Sequence, residues 1–110
     1  MGTQAVLDRV VLSQIQHYVK KIKSSGYKPI KIVVFGSSAK GTRHAYSDID
    51  LCIVSPQFND ENLFDDGVKL SLLTDDQSQD IEPHPMTPED YNSKWYSLAH
   101  EIRTHGIEIK

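Results

Sequence analysis

Residues 30–54 read IKIVVFGSSAKGTRHAYSDIDLCIV, and this stretch says more about the fold than any other part of the chain. Its first apolar, β-branched run, residues 31–35, predicts a buried strand. Residues 48–54 predict a second strand. Between the two strands, residues 37–41 can form one or two helical turns, and residues 42–46 predict a loop.

The second strand carries two acids at alternate positions. Alternation along a strand puts Asp48 and Asp50 on one face and Ile49, Leu51 and Ile53 on the other. Acids two residues apart on a strand are separated by about 7 Å. Such a pair can share hard divalent cations, which prefer oxygen ligands.

A glycine follows the first strand directly. Gly36 allows close approach of the backbone, and the N–H groups and hydroxyl of the Gly36-Ser37 turn can donate to a phosphate. A phosphate-binding turn beside carboxylates that can bind metal ions is typical of enzymes that transfer phosphoryl or nucleotidyl groups. A P-loop fits poorly, because the order Lys40-Gly41-Thr42 reverses the Gly-Lys-Ser/Thr order of that motif.

Taken together, these residues resemble the signature of the nucleotidyltransferase superfamily related to DNA polymerase beta. That signature is Gly-Ser, a short helix with a second glycine, and Ser-Asp-x-Asp followed by an apolar residue. The chain is most similar to the minimal nucleotidyltransferases, which are small prokaryotic proteins. The matching positions, which need no insertion, are Gly36, Ser37, Ala39, Gly41, Ser47, Asp48, Asp50 and Leu51.

The resemblance implies a reaction and a set of ligands. Members transfer a nucleoside monophosphate from ATP or another nucleoside triphosphate, with two Mg²⁺ ions held by three carboxylates. Asp48 and Asp50 supply two of these, and the resemblance places the third in the strand that contains Asp80 and Glu82. Glu82 is the preferred candidate because it lies deeper in the apolar run before Pro83, and Asp80 stays open as the alternative.

Further polar residues near the motif are candidates for nucleotide binding. Lys40 and Arg43 are cations on the expected phosphate side, although a solvated side chain is the alternative for each. Ser47 can cap or orient the loop before the first acid. His84 follows Glu82 by two residues and therefore faces the same side, where it could contact an acceptor or a metal, or be merely structural.

The remainder of the chain predicts helices and one edge strand. Amphipathic helices are predicted over residues 4–24, from Asn59 or Asp60 to about residue 74, and after a Thr87 N-cap. Residues 80–84 predict a strand that its prolines place at an edge of the sheet or turn out of the sheet there, and residues 107–109 a short final strand.

Two apolar stripes are predicted to face the core. They are Phe64, Val68 and Leu72 on one helix, and Tyr91, Trp95, Leu98 and Ile102 on the last helix. Gly106 is expected to end that last helix. The whole pattern predicts one small α/β (α+β) domain over residues 1–110, with a mixed β-sheet and flanking helices.

Composition narrows the possible functions. The chain has 110 residues, a formal net charge of −3 and 38% hydrophobic residues, so we expect one globular domain without broad nucleic-acid binding. The single Cys52 excludes an intrachain disulfide and is expected to be buried. No apolar run is long enough for a membrane span, so we expect a cytoplasmic protein.

Three functions are compatible with these features. The first is a metal-dependent nucleotidyltransferase whose hydroxyl acceptor lies on a partner, and the resemblance implies a helical HEPN protein in a toxin–antitoxin pair. The second is a catalytically weak antitoxin or regulatory binding module of the same fold. The third is transfer to a small molecule. A homo-oligomer could also complete the site, and Phe58 and Tyr46 are candidate interface contacts.

Overall fold

The computed structural model describes residues 7–42 and 47–110. A sheet of four strands forms its centre. The elements in chain order are α1 (Arg9–Ser24), β1 (Lys31–Phe35), α2 (Ser37–Lys40), β2 (Ile49–Val54), α3 (Leu63–Leu72), β3 (Ile81–Met86), α4 (Pro88–Tyr91), α5 (Ser97–His105) and β4 (Ile107–Glu108).

The sheet is mixed and has the strand order β3-β2-β1-β4. β1 runs antiparallel to β2 and β4, whereas β2 and β3 are parallel. Asp50 lies opposite Phe35 on one side and Glu82 on the other. The predicted mixed α/β (α+β) fold is thereby confirmed, and β3 is an edge strand as its prolines indicated.

Both faces of the sheet are covered. Ile49, Leu51 and Ile53 of β2 pack in one core cluster with the buried stripe of α1, as the alternation of the strand predicted. The opposite face of β2 carries Cys52 and Val54 in a second core cluster, which includes residues of α5. The expected burial of Cys52 is confirmed.

The first helix starts later than predicted. Asp8 is the N-cap residue of α1 and accepts a hydrogen bond from the backbone N–H of Val10 at 2.7 Å. Residues 1–6 lie outside the described part of the chain. Val11, Ile15, Tyr18 and Ile22 form one buried stripe, as expected of the predicted amphipathic helix.

The prediction for α3 was wrong in its start and in its buried face. The Asn59 side chain accepts hydrogen bonds from the N–H groups of Glu61 and Asn62, and this local turn delays the helix to Leu63. Leu70 is fully buried, whereas Phe64 and Leu72 are 82% and 77% exposed.

The predicted last helix is broken in two. Thr87 caps α4, accepting a hydrogen bond from the N–H of Asp90 at 3.0 Å. The guanidinium group of Arg103 then donates to the carbonyl groups of Tyr91 and Ser93, which stabilises the break between α4 and α5. Trp95 falls in this break and is 86% exposed, so its predicted core position was wrong.

Two smaller expectations also need correction. β3 continues to Met86 through both prolines, because an edge strand needs ladder donors on one side only. Phe58 is buried beside Tyr27, and the centroids of the two rings are 6.1 Å apart. Phe58 is therefore a core residue and not an interface contact. Tyr46 lies outside the described residues. Within residues 7–42 and 47–110, no helix has the length and apolarity needed to cross a membrane.

Gly106 ends α5 for a steric reason. Its φ is −75°, so it does not use the left-handed conformation expected of a terminal glycine. A Cβ atom at this position would clash with the carbonyl oxygen of Ile102 and would lie 2.5 Å from Cγ1 of Val33. The absence of a side chain allows the end of α5 to lie directly on β1.

We predict that Gly106→Ala lowers the free energy of unfolding by about 1–3 kcal/mol, the usual cost of overpacking. Urea denaturation measures the change. Gly67→Ala is the matched control: its Cβ would lie 3.6 Å from Pro85, an ordinary contact, so this variant should gain about 0.5–1 kcal/mol from helix propensity. Equal stabilities for wild type and Gly106→Ala would contradict the steric explanation.

Candidate functional site

The acids of the motif lie at one edge of the sheet, where β1 ends and the parallel strands β2 and β3 begin. Asp48 directly precedes β2, and Asp50 is its second residue. The parallel register sets Glu82 opposite Asp50. Strand pairing thus joins the local Asp-x-Asp pattern to an acid more than thirty residues away in sequence.

Glu82 lies close to both acids, and His84 lies between Asp50 and Glu82. Nε2 of His84 lies 3.1 Å from Oδ1 of Asp50 and 3.7 Å from Oε1 of Glu82. One ligand atom from each of these three residues lies within 4.8 Å of the other two. Asp48 joins the group through a side-chain hydrogen bond with Glu82. We call Asp48, Asp50, Glu82 and His84 the acidic cluster.

The electrostatics of the acidic cluster show an excess of negative charge. The hydrogen bond with Asp48, and then partial burial, raise the pKa of Glu82, and the negative charges of Asp50 and Asp48 raise it further. The nearby His84 opposes this shift. A cation bound beside these three carboxyl groups would favour the ionised form of Glu82 and reduce the repulsion among them.

Asp80, the alternative third acid, is held elsewhere. Its carboxylate accepts a hydrogen bond from Nε2 of Gln14 at 2.9 Å, and its backbone N–H donates to Oε1 of Gln14 at 3.0 Å. It lies before β3 begins, at the contact with α1. On geometry, Glu82 is therefore the acid of this strand that meets Asp50.

Gly36 brings the backbone against the cluster. Its φ is +73°, a conformation that side-chain-bearing residues rarely adopt. A Cβ atom here would lie 2.6 Å from Oδ2 of Asp50. Glycine is therefore favoured twice, by the φ of the turn and by the close approach of the backbone to Asp50.

The turn continues into α2, which ends at a second glycine. Gly41 has φ +73° in the left-handed region, and Thr42 N–H donates to the carbonyl of Ser37 at 3.0 Å. Within the described residues, the hydroxyl of Ser38 is buried and has no hydrogen-bond partner. Sequence reasoning passed over Ser38, although its place beside Ser37 in the motif was a usable signal.

The remaining residues predicted to bind the nucleotide are Lys40, Arg43 and Ser47. Lys40 forms an ion pair with Glu101 of α5, with 2.9 Å between Nζ and Oε1, and this contact lowers the pKa of Glu101. Ser47 directly precedes Asp48. Arg43 lies outside the described residues. Lys40 would have to leave Glu101 to reach a phosphate.

We predict that Glu82→Gln stabilises the metal-free protein at neutral pH. The pKa of Glu82 is higher in the folded protein than in an unfolded chain, so the folded state binds this proton more readily. The free energy of unfolding therefore falls as pH rises through that pKa, and charged Glu82 is destabilising at pH 7. Thermal unfolding in EDTA should show a higher Tm for Glu82→Gln at neutral pH, and the difference should shrink below about pH 4.

Glu101→Gln is the control of opposite sign for this experiment. The pKa of Glu101 is lowered by Lys40, so removing its charge should not raise the Tm at pH 7. A lower Tm for Glu82→Gln than for wild type at pH 7 would contradict the excess of negative charge in the acidic cluster.

Comparison with known proteins agrees with this geometry. The family model for the nucleotidyltransferase domain matches residues 12–94, which include the turn and all residues of the acidic cluster. The fold is similar to the 1.40 Å crystal structure of a Sulfolobus solfataricus protein provisionally described as a nucleotidyltransferase. The TM-score is 0.60 and the identity 19%, over 96% of this chain and 90% of that chain, so this likeness shows the fold alone. No curated protein matches the sequence. The family model covers most of the chain, and the chain therefore belongs to the nucleotidyltransferase domain family.

Proposed function

We propose that this protein is a metal-dependent nucleotidyltransferase that moves AMP from ATP to a hydroxyl group. The observation that carries the proposal is the meeting of three carboxylates, Asp48, Asp50 and Glu82, at the positive-φ glycine turn. A phosphate turn alone or an acid pair alone would fit many functions. Their joint position at one sheet edge fits the transfer of a nucleotide.

The residues present fit divalent cations. Hard cations take carboxylate oxygens, and the closeness of Glu82 to Asp48 and Asp50, with its raised pKa, supports a cation site there. Asp48, Asp50 and Glu82 would hold two Mg²⁺ ions. When bound, these ions would neutralise charge on the phosphates and activate the attacking oxygen.

The protein's own residues would position the reactants. The backbone at Gly36 and Ser37 would bind the triphosphate, and the unpartnered hydroxyl of Ser38 is a further donor on α2. In the reaction, the acceptor oxygen forms a bond to the α-phosphorus, and the bond to the pyrophosphate oxygen breaks. The pyrophosphate leaves with that electron pair, and the proton of the hydroxyl passes to a carboxylate of the cluster or to solvent.

We predict that the double variant Asp48→Asn, Asp50→Asn loses Mg²⁺-dependent ATP binding and retains its fold. Calorimetry with ATP measures the affinity, and circular dichroism checks the fold. Asp80→Asn is the matched control, because it removes the charge of the neighbouring acid whose carboxylate accepts a hydrogen bond from Gln14 of α1, and it should bind ATP like wild type. Unchanged affinity in the folded double variant would refute the assigned metal ligands.

A large apolar groove lies beside the acidic cluster and supports a protein acceptor. Its volume is about 690 Å³, and His84 of the acidic cluster is one of its lining residues. The groove is also lined by exposed apolar side chains, namely Phe64, Val68 and Leu72 of α3 and Tyr96. Exposed apolar clusters of this kind are typical of interaction sites.

The proposed occupant is a helical partner of the HEPN type. An amphipathic helix can lay its apolar face in such a groove. A hydroxyl group of the partner would then lie near the acidic cluster, next to His84. If this chain adenylylates that hydroxyl group and thereby inactivates the partner, this chain is the antitoxin of the pair. A cytoplasmic location, ATP as the donor and the HEPN partner are all parts of this proposal.

We predict that Phe64→Ser with Leu72→Ser lowers transfer to the partner at least tenfold and leaves ATP affinity unchanged. The assay incubates α-labelled ATP with the purified chain and a co-expressed HEPN protein, and measures label on the partner. Val10→Ser is the matched control, since Val10 is 60% exposed on α1 and lies outside the groove.

The same assay separates the alternatives. Tight partner binding without label would favour an antitoxin that acts by contact. Robust transfer to a free small molecule by the isolated monomer would refute the partner requirement, and sedimentation of the chain alone reports whether a homo-oligomer forms.

A further inference from the structure

The acidic cluster contains a nitrogen donor that hard cations do not need. Glu82 and His84 alternate on β3 and therefore face the same side, and the register with β2 carries both to Asp50. The imidazole Nε2 lies within hydrogen-bonding distance of Asp50, at 3.1 Å from Oδ1. A metal held by Asp50 would lie within reach of this nitrogen.

The imidazole of His84 is held in place by its surroundings. The ring of Phe35 meets it edge-on, with 5.0 Å between ring centroids and 62° between ring planes. Pro83 and Pro85 flank His84 on the strand, and each fixes its own φ. The His84 side chain is 29% exposed, so the ring is restrained but still open to an ion.

We propose that Asp50, Glu82 and His84 form a mixed oxygen and nitrogen site that selects a first-row transition-metal dication over Mg²⁺. This inference rests on the proposed function, in which Asp50 and Glu82 are metal ligands. Imidazole nitrogen is a good ligand for transition-metal dications, whereas Mg²⁺ prefers carboxylates and water. His84 would give one of the two cation positions a chemical preference that three carboxylates lack.

The distances within the cluster suit adjacent ligands of one ion. Two neighbouring ligands of an octahedral ion with bonds of about 2.1 Å are separated by about 3.0 Å. The separation of 3.1 Å between His84 and Asp50 meets this requirement. The Glu82 oxygen is 3.7 Å from Nε2, and its side chain is half exposed, so a small rotation can complete the set.

Metal binding requires that Nε2 of His84 lose its hydrogen atom. Asp50, when ionised, can only accept, so Nε2–H of His84 donates to it in the metal-free protein. A metal ion needs the lone pair of Nε2, which places the remaining ring hydrogen on Nδ1. The ion would thus take the place of the hydrogen between His84 and Asp50.

The first test is the metal preference, measured by calorimetry of Mg²⁺ and Co²⁺ with inorganic triphosphate present. His84→Gln should weaken Co²⁺ binding by about 10-fold or more, the size of effect seen when a metal site loses a supporting contact, and should change Mg²⁺ binding far less. His84→Asn serves as a second variant. His105→Gln is the matched control, because it removes an imidazole that contacts Glu101 on α5 instead of the cluster. Equal losses for both ions would overturn the selectivity.

The second test reads the ligand directly and does not depend on activity. Pulsed EPR of Mn²⁺ bound with inorganic triphosphate, which contains no nitrogen, should show ¹⁴N coupling that changes to ¹⁵N coupling when histidine is ¹⁵N-labelled. The coupling should vanish in His84→Gln and persist in His105→Gln. Bound Mn²⁺ without histidine coupling would overturn this inference and leave the proposed function intact. Failure of wild type to bind any divalent cation would overturn both.

Discussion

The rest of the site depends on the crowding of three carboxylates against a backbone turn that only glycine can form. Asp50 Oδ2 occupies the space where a Cβ of residue 36 would lie, and Glu82 stands opposite Asp50 across the parallel strands. The hydrogen bond with Asp48, then partial burial and the negative charges of Asp50 and Asp48, raise the pKa of Glu82. An arrangement that costs folding free energy persists when it serves function, since functional sites often lower stability. The closeness of these carboxylates is the physical basis for the proposed cation site.

The sheet makes this crowding possible. Its two apolar faces bury β1 and β2 between α1 on one side and α5 on the other, so the strands are held firmly in register. β2 changes character within a few residues, from the acids at its start to Cys52 and Val54 in the core. A strand anchored by its buried half can hold charged groups close together at its open end. The apolar groove beside His84 then offers an acceptor a place next to those charges.

The local parts of this site were predictable from sequence, and the parts that depend on packing were not. Alternation placed Asp50 opposite Ile49 and Leu51, because a strand has a fixed period. Glu82 was preferred over Asp80 from its depth in an apolar run, but its contact with Asp50 depends on a register that no local pattern contains. The predicted core positions of Trp95 and Phe64 were wrong for a related reason. A helical stripe identifies apolar residues on one face, but it does not show whether a neighbouring element covers that face or whether the helix breaks. The sequence offered His84 only as a residue that could contact an acceptor or a metal, and its 3.1 Å distance from Asp50 depends on the pairing of β2 with β3.

The measurement that tests the central claim most directly is anomalous diffraction from crystals grown with Mn²⁺ and a non-hydrolysable ATP analogue. The account predicts an anomalous peak among the carboxylates of Asp48, Asp50 and Glu82, with the triphosphate on the backbone of Gly36 and Ser37. A fully occupied nucleotide on another face of the sheet, with no anomalous peak at the acidic cluster, would contradict it.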